Sequence, residues 1–167
     1  MGRPLLPPHS HVQFEWGMRL LDSISLRGDE TVLDAGCGTG RLTAELLKRL
    51  PRGRVIAVDK SESMLLMAGE FINPLLGSRA TFIQADLCHL RMKETADGVF
   101  SVSAFHWITN HSDIFRNMYE MLRSGGWLAA QWAGASNLAR LRRLASDLMN
   151  RDIFREYFDG WPHKGRF

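Results

Sequence analysis

Short apolar runs alternate with helical segments along most of this chain, and the alternation strongly limits how the chain can fold. The runs predict five strands, with the sequences TVLDA, RVIAVD, ATFIQA, GVFSVSA and WLAAQW. A strand that is apolar along its whole length is typical of a sheet covered on both faces. Helices between consecutive strands favour parallel pairing, because the chain crosses over before it pairs again. We therefore expect an α/β fold with a doubly wound parallel sheet.

The segments between the strands have helical periodicity. The predicted helices cover residues 12–26, 41–50, 62–71, 112–123 and about 137–150. We expect a loop around Asn73-Pro74 and Gly77, since proline lacks a backbone N–H. The fourth of these helices is expected to begin near a cap at Ser112 or Asp113. The tripeptide SGG predicts a turn before the fifth strand.

Length and composition predict one domain over residues 1–167, with an N-terminal helical segment at 1–28 and a C-terminal helix and tail at 135–167. The two cysteines, Cys37 and Cys88, cannot form a disulfide framework, and no Cys/His cluster has zinc-like spacing. Prolines interrupt MGRPLLPPHS, where a signal peptide needs an apolar run. We expect a cytoplasmic protein without a metal ion and without a membrane partner.

Three glycines follow the first predicted strand, in the stretch VLDAGCGTGRLT. They are Gly36, Gly38 and Gly40, and Asp34 precedes them. Glycine costs chain entropy, which is acceptable where the backbone must turn sharply or approach something closely. In parallel sheets, ligands bind beyond the carboxyl ends of the strands. The glycine loop is therefore predicted to border a ligand site.

An acid lies at the end of each of the first three predicted strands, as Asp34, Asp59 and Asp86. Any one of them could be a cap or a turn residue, but together with the glycines they predict a binding site. A dinucleotide site would have the spacing G-x-G-x-x-G around a pyrophosphate, which a carboxylate at Asp34 would repel. Asp59 has the position of an acid that binds ribose hydroxyls. A nucleoside with a positively charged group fits better than a dinucleotide, so an oxidoreductase is the least favoured function.

Five motifs in order give the chain a family resemblance. VLDAGCGTGRLT, VIAVDKSESML, FIQADLCHL, DGVFSVSAFHWI and LRSGGWLAAQW resemble the successive motifs of class I S-adenosylmethionine-dependent methyltransferases. Within that class the chain is most similar to the small-molecule group (methyltransferase types 11 and 25) that includes trans-aconitate and juvenile-hormone-acid methyltransferases. The resemblance implies a Rossmann-like sheet in the order 3-2-1-4-5, S-adenosyl-L-methionine as the cofactor, and a small-molecule methyl acceptor.

The resemblance also implies roles for individual residues at the cofactor. The glycine loop would pass close to the methionine part, and Asp34 would lie near its amino and sulfonium end. Asp59 would bind the ribose hydroxyls, and Asp86 the adenine amino group. The remaining implied contacts are the Leu87 backbone at the adenine ring, Lys60 and Met64 beside the adenine, and Ser103 on the methyl-transfer side. A core position is the alternative for Met64.

The nature of the acceptor decides whether a base is needed. A carboxylate acceptor is already ionised at neutral pH and needs none, whereas an alcohol or phenol would benefit from one. His106, in SAFHWI, is the candidate base, and a structural histidine paired with the loop backbone is the alternative. Trp107 is expected to form a wall of the pocket. Gln13 and Trp16 could close over the cofactor, and Trp16 could equally belong to the core.

The sequence departs from the family pattern after the fifth strand. Members of the class usually have seven strands, and strands six and seven are not found before the sequence ends at FREYFDGWPHKGRF. The fifth strand would then be an edge with two tryptophans, which predicts self-association. A protein that binds the cofactor but is catalytically silent is therefore an alternative to an active methyltransferase. Turnover, rather than binding, separates the two.

A nucleic-acid methyltransferase is the third alternative. The net charge is only +3, and much of the basic excess lies late, in RLRRL and in Lys164 and Arg166. A solvated helix face explains such a run. The fourth strand ends in SAFH and lacks the Asn/Asp-Pro-Pro-aromatic box of the enzymes that methylate a flipped base. The sequence therefore argues against nucleic acid as a partner.

Overall fold

The predicted alternation of strands and helices is present in the structure, a computed structural model that describes residues 10–93, 95–134 and 139–159. The elements are α1 (Ser10–Asp22), β1 (Thr31–Ala35), α2 (Arg41–Arg49), β2 (Arg54–Asp59), α3 (Glu62–Leu76), β3 (Ala80–Gln84), β4 (Ala96–Val102), α4 (His111–Met121), β5 (Leu122–Gln131), α5 (Ala139–Met149) and α6 (Asp152–Arg155). Short 3-10 turns cover Gly77–Arg79, Phe105–Trp107 and Glu156–Phe158. The chain divides into two compact units, 1–132 and 133–167. The sheet and α1 to α4 belong to the first unit, and α5 and α6 to the second.

In the described part of the chain, five strands form one parallel sheet in the order β3-β2-β1-β4-β5, which confirms the predicted fold class and strand order. The central strand, β1, pairs with β2 from Thr31↔Arg54 to Ala35↔Val58. On its other side β1 pairs with β4, where Asp34 lies opposite Phe100. All five residues of β1 are buried. The carboxyl ends of β1, β2 and β4 therefore meet at one edge of the sheet, beside the loops that follow them.

The two faces of the sheet carry separate apolar cores, because side chains alternate along a strand. Leu33 of β1 packs in a cluster that includes Ile114 and Met118 of α4. Val32, one residue earlier, belongs to a cluster on the other face with Leu47 of α2. Burial of one such side chain stabilises the fold by about 1.5–3 kcal/mol. The central strand is thus held from both faces, and the position of its carboxyl end is fixed.

A buried carboxylate organises the turn that enters β1. Glu30 accepts hydrogen bonds from the backbone N–H groups of Arg27 at 2.6 Å, Gly28 at 2.7 Å and Asp29 at 3.1 Å. Burial acts to raise the pKa of Glu30, but the backbone hydrogen bonds, led by that from Arg27, outweigh it and lower the pKa. The turn therefore depends on an ionised side chain inside the protein.

Strand β5 leaves the sheet briefly and returns to it. Ala96 pairs with Leu122, and Gly98 pairs with Trp127, so four residues of β5 lie opposite one residue of β4. The carboxylate of Asp97, at this irregularity, accepts hydrogen bonds from Thr31 N at 2.7 Å and Arg123 Nη1 at 2.9 Å. The turn predicted at SGG is therefore an excursion inside a strand that begins five residues earlier than expected.

Helix α3 is longer than the sequence predicts. It continues to Leu76 with Pro74 inside it, whereas a loop was expected around Asn73-Pro74. A proline inside a helix removes one backbone hydrogen bond. Ile72 is fully buried and Leu76 packs against the same core cluster. The helix therefore continues past the proline, and Leu76 beyond it still packs against this core.

Other element bounds also differ from the sequence-based expectation. Helix α1 ends at Asp22 rather than at Leu26, and α4 is capped by Asn110, whose side chain accepts from Asp113 N, rather than by Ser112 or Asp113 itself. Strand β4 ends at Val102, so that the residues from Ser103 onward form the loop after it. Boundaries of this kind depend on individual side-chain contacts that periodicity does not encode.

Among the described residues, no helix is long and apolar enough to cross a membrane. Strand β5 ends the sheet next to β4. Self-association through this strand stays a prediction. The N-terminal residues 1–9 and the tail residues 160–167, including Lys164 and Arg166, lie outside the described part of the chain.

The Glu30 turn gives a first testable prediction. Replacing Glu30 by Ala should lower the free energy of unfolding by roughly 2–4 kcal/mol, because it leaves buried N–H groups without an acceptor. Asp29→Ala, which removes only an exposed ion pair with Arg27, is the matched control and should cost less than about 1 kcal/mol. Urea unfolding at neutral pH measures the free energy of unfolding of both variants, and equal losses would contradict the assignment.

The stabilisation by Glu30 also depends on pH. Because the folded pKa of Glu30 is lowered, this stabilisation is present above the unfolded pKa and is lost as the pH falls through the folded pKa.

Candidate functional site

A cavity of about 900 Å³ opens beyond the carboxyl ends of β1, β2 and β4. Its walls come from the loops after these strands, from the loop after β3, and from the first turns of α1 and α2. Twelve of the sequence-predicted site residues line it: Gln13, Asp34, Gly36, Gly38, Asp59, Lys60, Met64, Asp86, Leu87, Ser103, His106 and Trp107. The structure thus brings together residues that are far apart along the chain.

Two predicted site residues do not line the cavity. Gly40 has a φ of +77° and packs against α3, where a Cβ would come within 2.9 Å of both Ala68 Cβ and Ile72 Cδ1. The packing of α2 against α3 therefore requires glycine at this position. Trp16 is 46% exposed, and the structure places it neither in the cavity wall nor in the core. It lies two residues after Phe14, which does line the cavity, and residues two apart on a helix face different directions.

The glycine loop is tied to the neighbouring strand by its backbone. The N–H groups of Gly36 and Cys37 both donate to the Val58 carbonyl, at 2.8 and 3.0 Å. Gly36 has a φ of +84°, and a Cβ there would lie 2.4 Å from the Cβ of Ala104 in the loop after β4. Close approach of another part of the protein therefore requires glycine at this position, in addition to any ligand.

Asp59 is held by two backbone donors. Its Oδ2 accepts from Gly38 N at 2.9 Å, and its Oδ1 accepts from Ser61 N at 2.9 Å. The carboxylate therefore has a fixed orientation across the glycine loop. A carboxylate oxygen can accept more than one hydrogen bond, so both oxygens keep acceptor capacity for a ligand.

Asp34 is the buried acid of the site. Its exposed fraction is 3%, and its Oδ2 accepts from the hydroxyl of Thr43 at 2.6 Å. Burial, with a smaller contribution from the charge of Asp59, raises the pKa of Asp34 to about 7, against the opposing hydrogen bond from Thr43. The residue is therefore poised between the neutral acid and the carboxylate at neutral pH, and a cation beside it would favour the carboxylate.

Asp86 carries an ion pair at the rim of the cavity. Lys60 Nζ lies 2.9 Å from its Oδ2, and Cys88 N donates to its Oδ1 at 2.9 Å. The hydrogen bond from Lys60 and that from Cys88 N lower the pKa of Asp86 to about 2. The next residue, Leu87, is buried, and its carbonyl accepts from Asn117 Nδ2 at 3.2 Å. Met64 is 39% exposed, so its position at the cavity, rather than in the core, is supported.

The loop after β4 forms the opposite wall. Ser103 has a φ of +57°, and no other non-glycine residue in the described ranges has a positive φ. Its N–H donates to Gln131 O at 2.8 Å. His106 is exposed and has no hydrogen-bond partner among the described residues. Partial burial lowers the pKa of His106, which favours the neutral imidazole. Its ring centroid lies 5.0 Å from that of Trp107, which is 83% exposed.

Some site features were missed by reasoning from the sequence. The histidine that pairs with the loop backbone is His111, whose Nε2 lies 3.0 Å from the Phe105 carbonyl. Arg41, at the start of α2, places its guanidinium 4.2 Å from the centre of the Phe14 ring. Thr43 was also missed, although a hydroxyl on the apolar face of a helix beside a buried acid is a usable signal. His111 had no signal, since nothing in SAFHWITNH distinguishes its direction from that of His106.

The comparisons with known proteins agree with this architecture. Residues 32–126 match the family model described as "Methyltransferase domain". The chain is 33% identical over 124 residues to malonyl-[acyl-carrier protein] O-methyltransferase of Bacillus cereus, covering 72% of this chain and 45% of that protein. It is 36% identical over 145 residues to trans-aconitate 2-methyltransferase of Rhodopseudomonas palustris, covering 87% of this chain and 52% of that protein.

Solved structures share the fold. Phosphoethanolamine N-methyltransferase 1 of Haemonchus contortus superposes with a TM-score of 0.68 at 22% identity, covering 78% of this chain and 28% of that chain. An S-adenosylmethionine-dependent methyltransferase from Aquifex aeolicus superposes with a TM-score of 0.65 at 24% identity, covering 74% and 66% of the two chains. At this level of identity the likeness concerns the fold.

An open parallel sheet with a glycine loop and acids at successive strand ends is typical of class I S-adenosylmethionine-dependent methyltransferases, and the family match confirms that resemblance. The chain belongs to the methyltransferase-domain family within that class. It spans about half the length of the curated relatives it matches.

Two glycines of the loop provide a paired test. Gly36→Ala should lower the free energy of unfolding by about 2–4 kcal/mol, because the added methyl group meets Ala104 and the backbone has a positive φ. Gly38→Ala adds a methyl group where no atom lies within 4 Å, so only the cost of its positive φ, about 1–2 kcal/mol, is expected. Urea unfolding of both variants checks this order, and a larger loss for Gly38→Ala would contradict it.

Proposed function

We propose that this chain binds S-adenosyl-L-methionine in the cavity and transfers a methyl group to a small molecule, with a carboxylate as the accepting group. One observation carries the proposal: three strand-end carboxyl groups and the glycine loop line the same cavity. The donor set suits this cofactor, whose sulfonium and ammonium groups are cations and whose ribose hydroxyls and adenine amino group are hydrogen-bond donors. Asp34 supports the fit in particular, since it is buried and has Thr43 as its hydrogen-bond partner in the described ranges.

Each acid has a distinct part in the proposal. Asp59, with its orientation fixed by two N–H donors, accepts hydrogen bonds from the ribose hydroxyls. Asp86 accepts from the adenine amino group while it keeps its bond to Lys60, and the backbone of Leu87 borders the ring. Asp34 holds the cationic amino-acid end. Gly38 lets the ligand approach closely, because its missing side chain leaves open space beside the cavity.

Methyl transfer from this cofactor requires few catalytic groups from the protein. S-adenosyl-L-methionine, when bound, supplies an electrophilic methyl group on a sulfonium. The task of the side chains is to align the acceptor with that group and to exclude water. Gln13, Ser103 and Trp107 line the part of the wall proposed to face the acceptor. A carboxylate has a pKa of about 4 and arrives ionised, so no side chain has to remove a proton.

A hydroxyl acceptor is the second candidate, and His106 is the observation that favours it. Its imidazole has no hydrogen-bond partner among the described residues, and its lowered pKa favours the neutral form that can accept a proton. Two relatives are named for the methylation of trans-aconitate and of a malonyl group, and both of these carry carboxyl groups. This similarity favours the carboxylate over the hydroxyl.

Calorimetric titration with S-adenosylhomocysteine tests the binding half of the proposal. The wild-type chain should bind it with a micromolar dissociation constant, and Asp59→Asn should weaken binding by at least about tenfold, because a charged acceptor worth roughly 1.5–3 kcal/mol is lost. Asp29→Asn, an exposed acid outside the cavity, is the control and should bind like the wild type. Equal affinities for the wild type and Asp59→Asn would contradict the assigned role of Asp59.

The pH dependence of turnover tests the choice of acceptor. With trans-aconitate as substrate, His106→Asn should keep a turnover number within about threefold of the wild type, since a carboxylate needs no base. Loss of a base would instead lower turnover by about 10²–10⁴ and remove the rising limb of the pH profile. That result would favour the hydroxyl candidate. Micromolar binding of S-adenosylhomocysteine without turnover of any acceptor would favour a silent binding module.

A further inference from the structure

A buried hydroxyl is hydrogen-bonded to a buried carboxyl group that lines the cavity. Thr43, in the first turn of α2, is 0% exposed, and its Oγ1 lies 2.6 Å from Oδ2 of Asp34. Threonine has a single hydroxyl hydrogen, and here it is used on this carboxyl group. Burial of a charged group is costly unless a partner compensates it. The ionised form of Asp34 therefore depends strongly on this one hydrogen bond.

Among the other described groups around Asp34, Asp59 opposes its ionisation, and none is an additional hydrogen-bond donor to it. From the end of β2, Asp59 contributes a second negative charge, and from the glycine loop comes the buried thiol of Cys37, whose own pKa is raised by burial and by both acids. Strand β4 contributes Ser101, but its hydroxyl donates to the Ala35 carbonyl at 2.7 Å and not to Asp34. Burial and Asp59 thus act against ionisation, and Thr43 acts for it.

We infer that Thr43 is a positioning residue that sets the ionisation of Asp34, and that binding of the cationic amino-acid end of the cofactor releases a proton from Asp34 to solvent. The inference rests on the proposed function. In this step the O–H bond of the neutral acid breaks and its proton passes to the buffer. The resulting carboxylate pairs with the ligand's ammonium group, and no bond to carbon forms or breaks. Thr43 takes no part in the contact with the ligand and acts through the acid it holds.

The consequence is an affinity that depends on pH through Asp34. Above neutral pH the acid is already ionised, so a cationic ligand binds without displacing a proton. Below neutral pH part of the binding free energy is used to remove the proton, and the affinity falls. Because the hydroxyl stabilises the carboxylate, its removal moves this fall to higher pH.

Calorimetric titration with S-adenosylhomocysteine between about pH 5.5 and 8.5 tests the coupling. Repeating each titration in two buffers of different ionisation enthalpy counts the protons released on binding. The wild type should release a fraction of a proton near neutral pH, and its affinity should rise by about tenfold across the range. Thr43→Val, similar in shape but without the donor, should shift the midpoint upward by about one pH unit, and Thr43→Ser should restore it.

Ser101→Ala is the matched control. It also removes a buried hydroxyl near the end of the central strands, but one that donates to the Ala35 carbonyl and not to Asp34. It should lower stability and leave the midpoint of the pH dependence unchanged. A Thr43→Val variant that binds more weakly by the same factor at every pH would overturn the inference, because a structural role alone produces that result. Zero proton release by the wild type would overturn it as well.

A measurement without ligand separates this inference from the proposed function. When folding raises the pKa of a carboxyl group, the free energy of unfolding falls as the pH rises from the unfolded pKa through the folded pKa. Urea unfolding should therefore show Thr43→Val losing more stability at pH 8 than at pH 5, and Asp34→Asn should remove this dependence. If S-adenosylhomocysteine binds at no pH, the proposed function and the proton coupling both fall, whereas equal losses at both pH values would overturn the role of Thr43.

Discussion

One carbonyl holds the site together. The backbone oxygen of Val58 accepts hydrogen bonds from the N–H groups of both Gly36 and Cys37. These two hydrogen bonds to β2 fold the glycine loop back over the edge of the sheet. Asp59 is the next residue, and it in turn accepts from Gly38. The loop and the acid are therefore joined through the backbone before any ligand is present. A loop ordered in this way loses less conformational entropy on binding, which favours affinity without any added contact.

Three aspartates of the same chemical type have three different electrostatic environments in one cavity. Asp86 is stabilised as a carboxylate by Lys60 and by Cys88 N, and its pKa lies at about 2. Asp59 is oriented by two backbone donors. Asp34 is buried with Thr43 as its donor, and its pKa lies at about 7. The strand ends supply the acids, but the residues beside them decide what each acid can do.

The sheet and most residues of the cavity wall could be predicted from local patterns in the sequence. Apolar runs mark strands because each is covered on both faces, and a residue that follows a parallel strand must lie at the ligand-binding edge. Patterns of this kind carry no information about packing between elements. The helix through Pro74 depends on the burial of Ile72, the role of Gly40 depends on the approach of α3, and the contact between Thr43 and Asp34 depends on the angle between a helix and a strand. The directions of His106, in the loop after β4, and of His111, at the start of α4, are likewise set by the fold alone.

The backbone of Ser103 has a consequence for how this cavity can change over evolutionary time. At a φ of +57°, glycine and asparagine are accommodated with little strain, whereas β-branched side chains are strongly disfavoured. Its neighbour Ala104 restricts a different residue, since a Cβ at Gly36 would lie 2.4 Å from the Cβ of Ala104. Ser103 is thus restricted by its own conformation, and Gly36 is restricted by both its conformation and the contact with Ala104. Diversification of this wall of the cavity is thereby directed to the exposed residues that follow, His106 and Trp107.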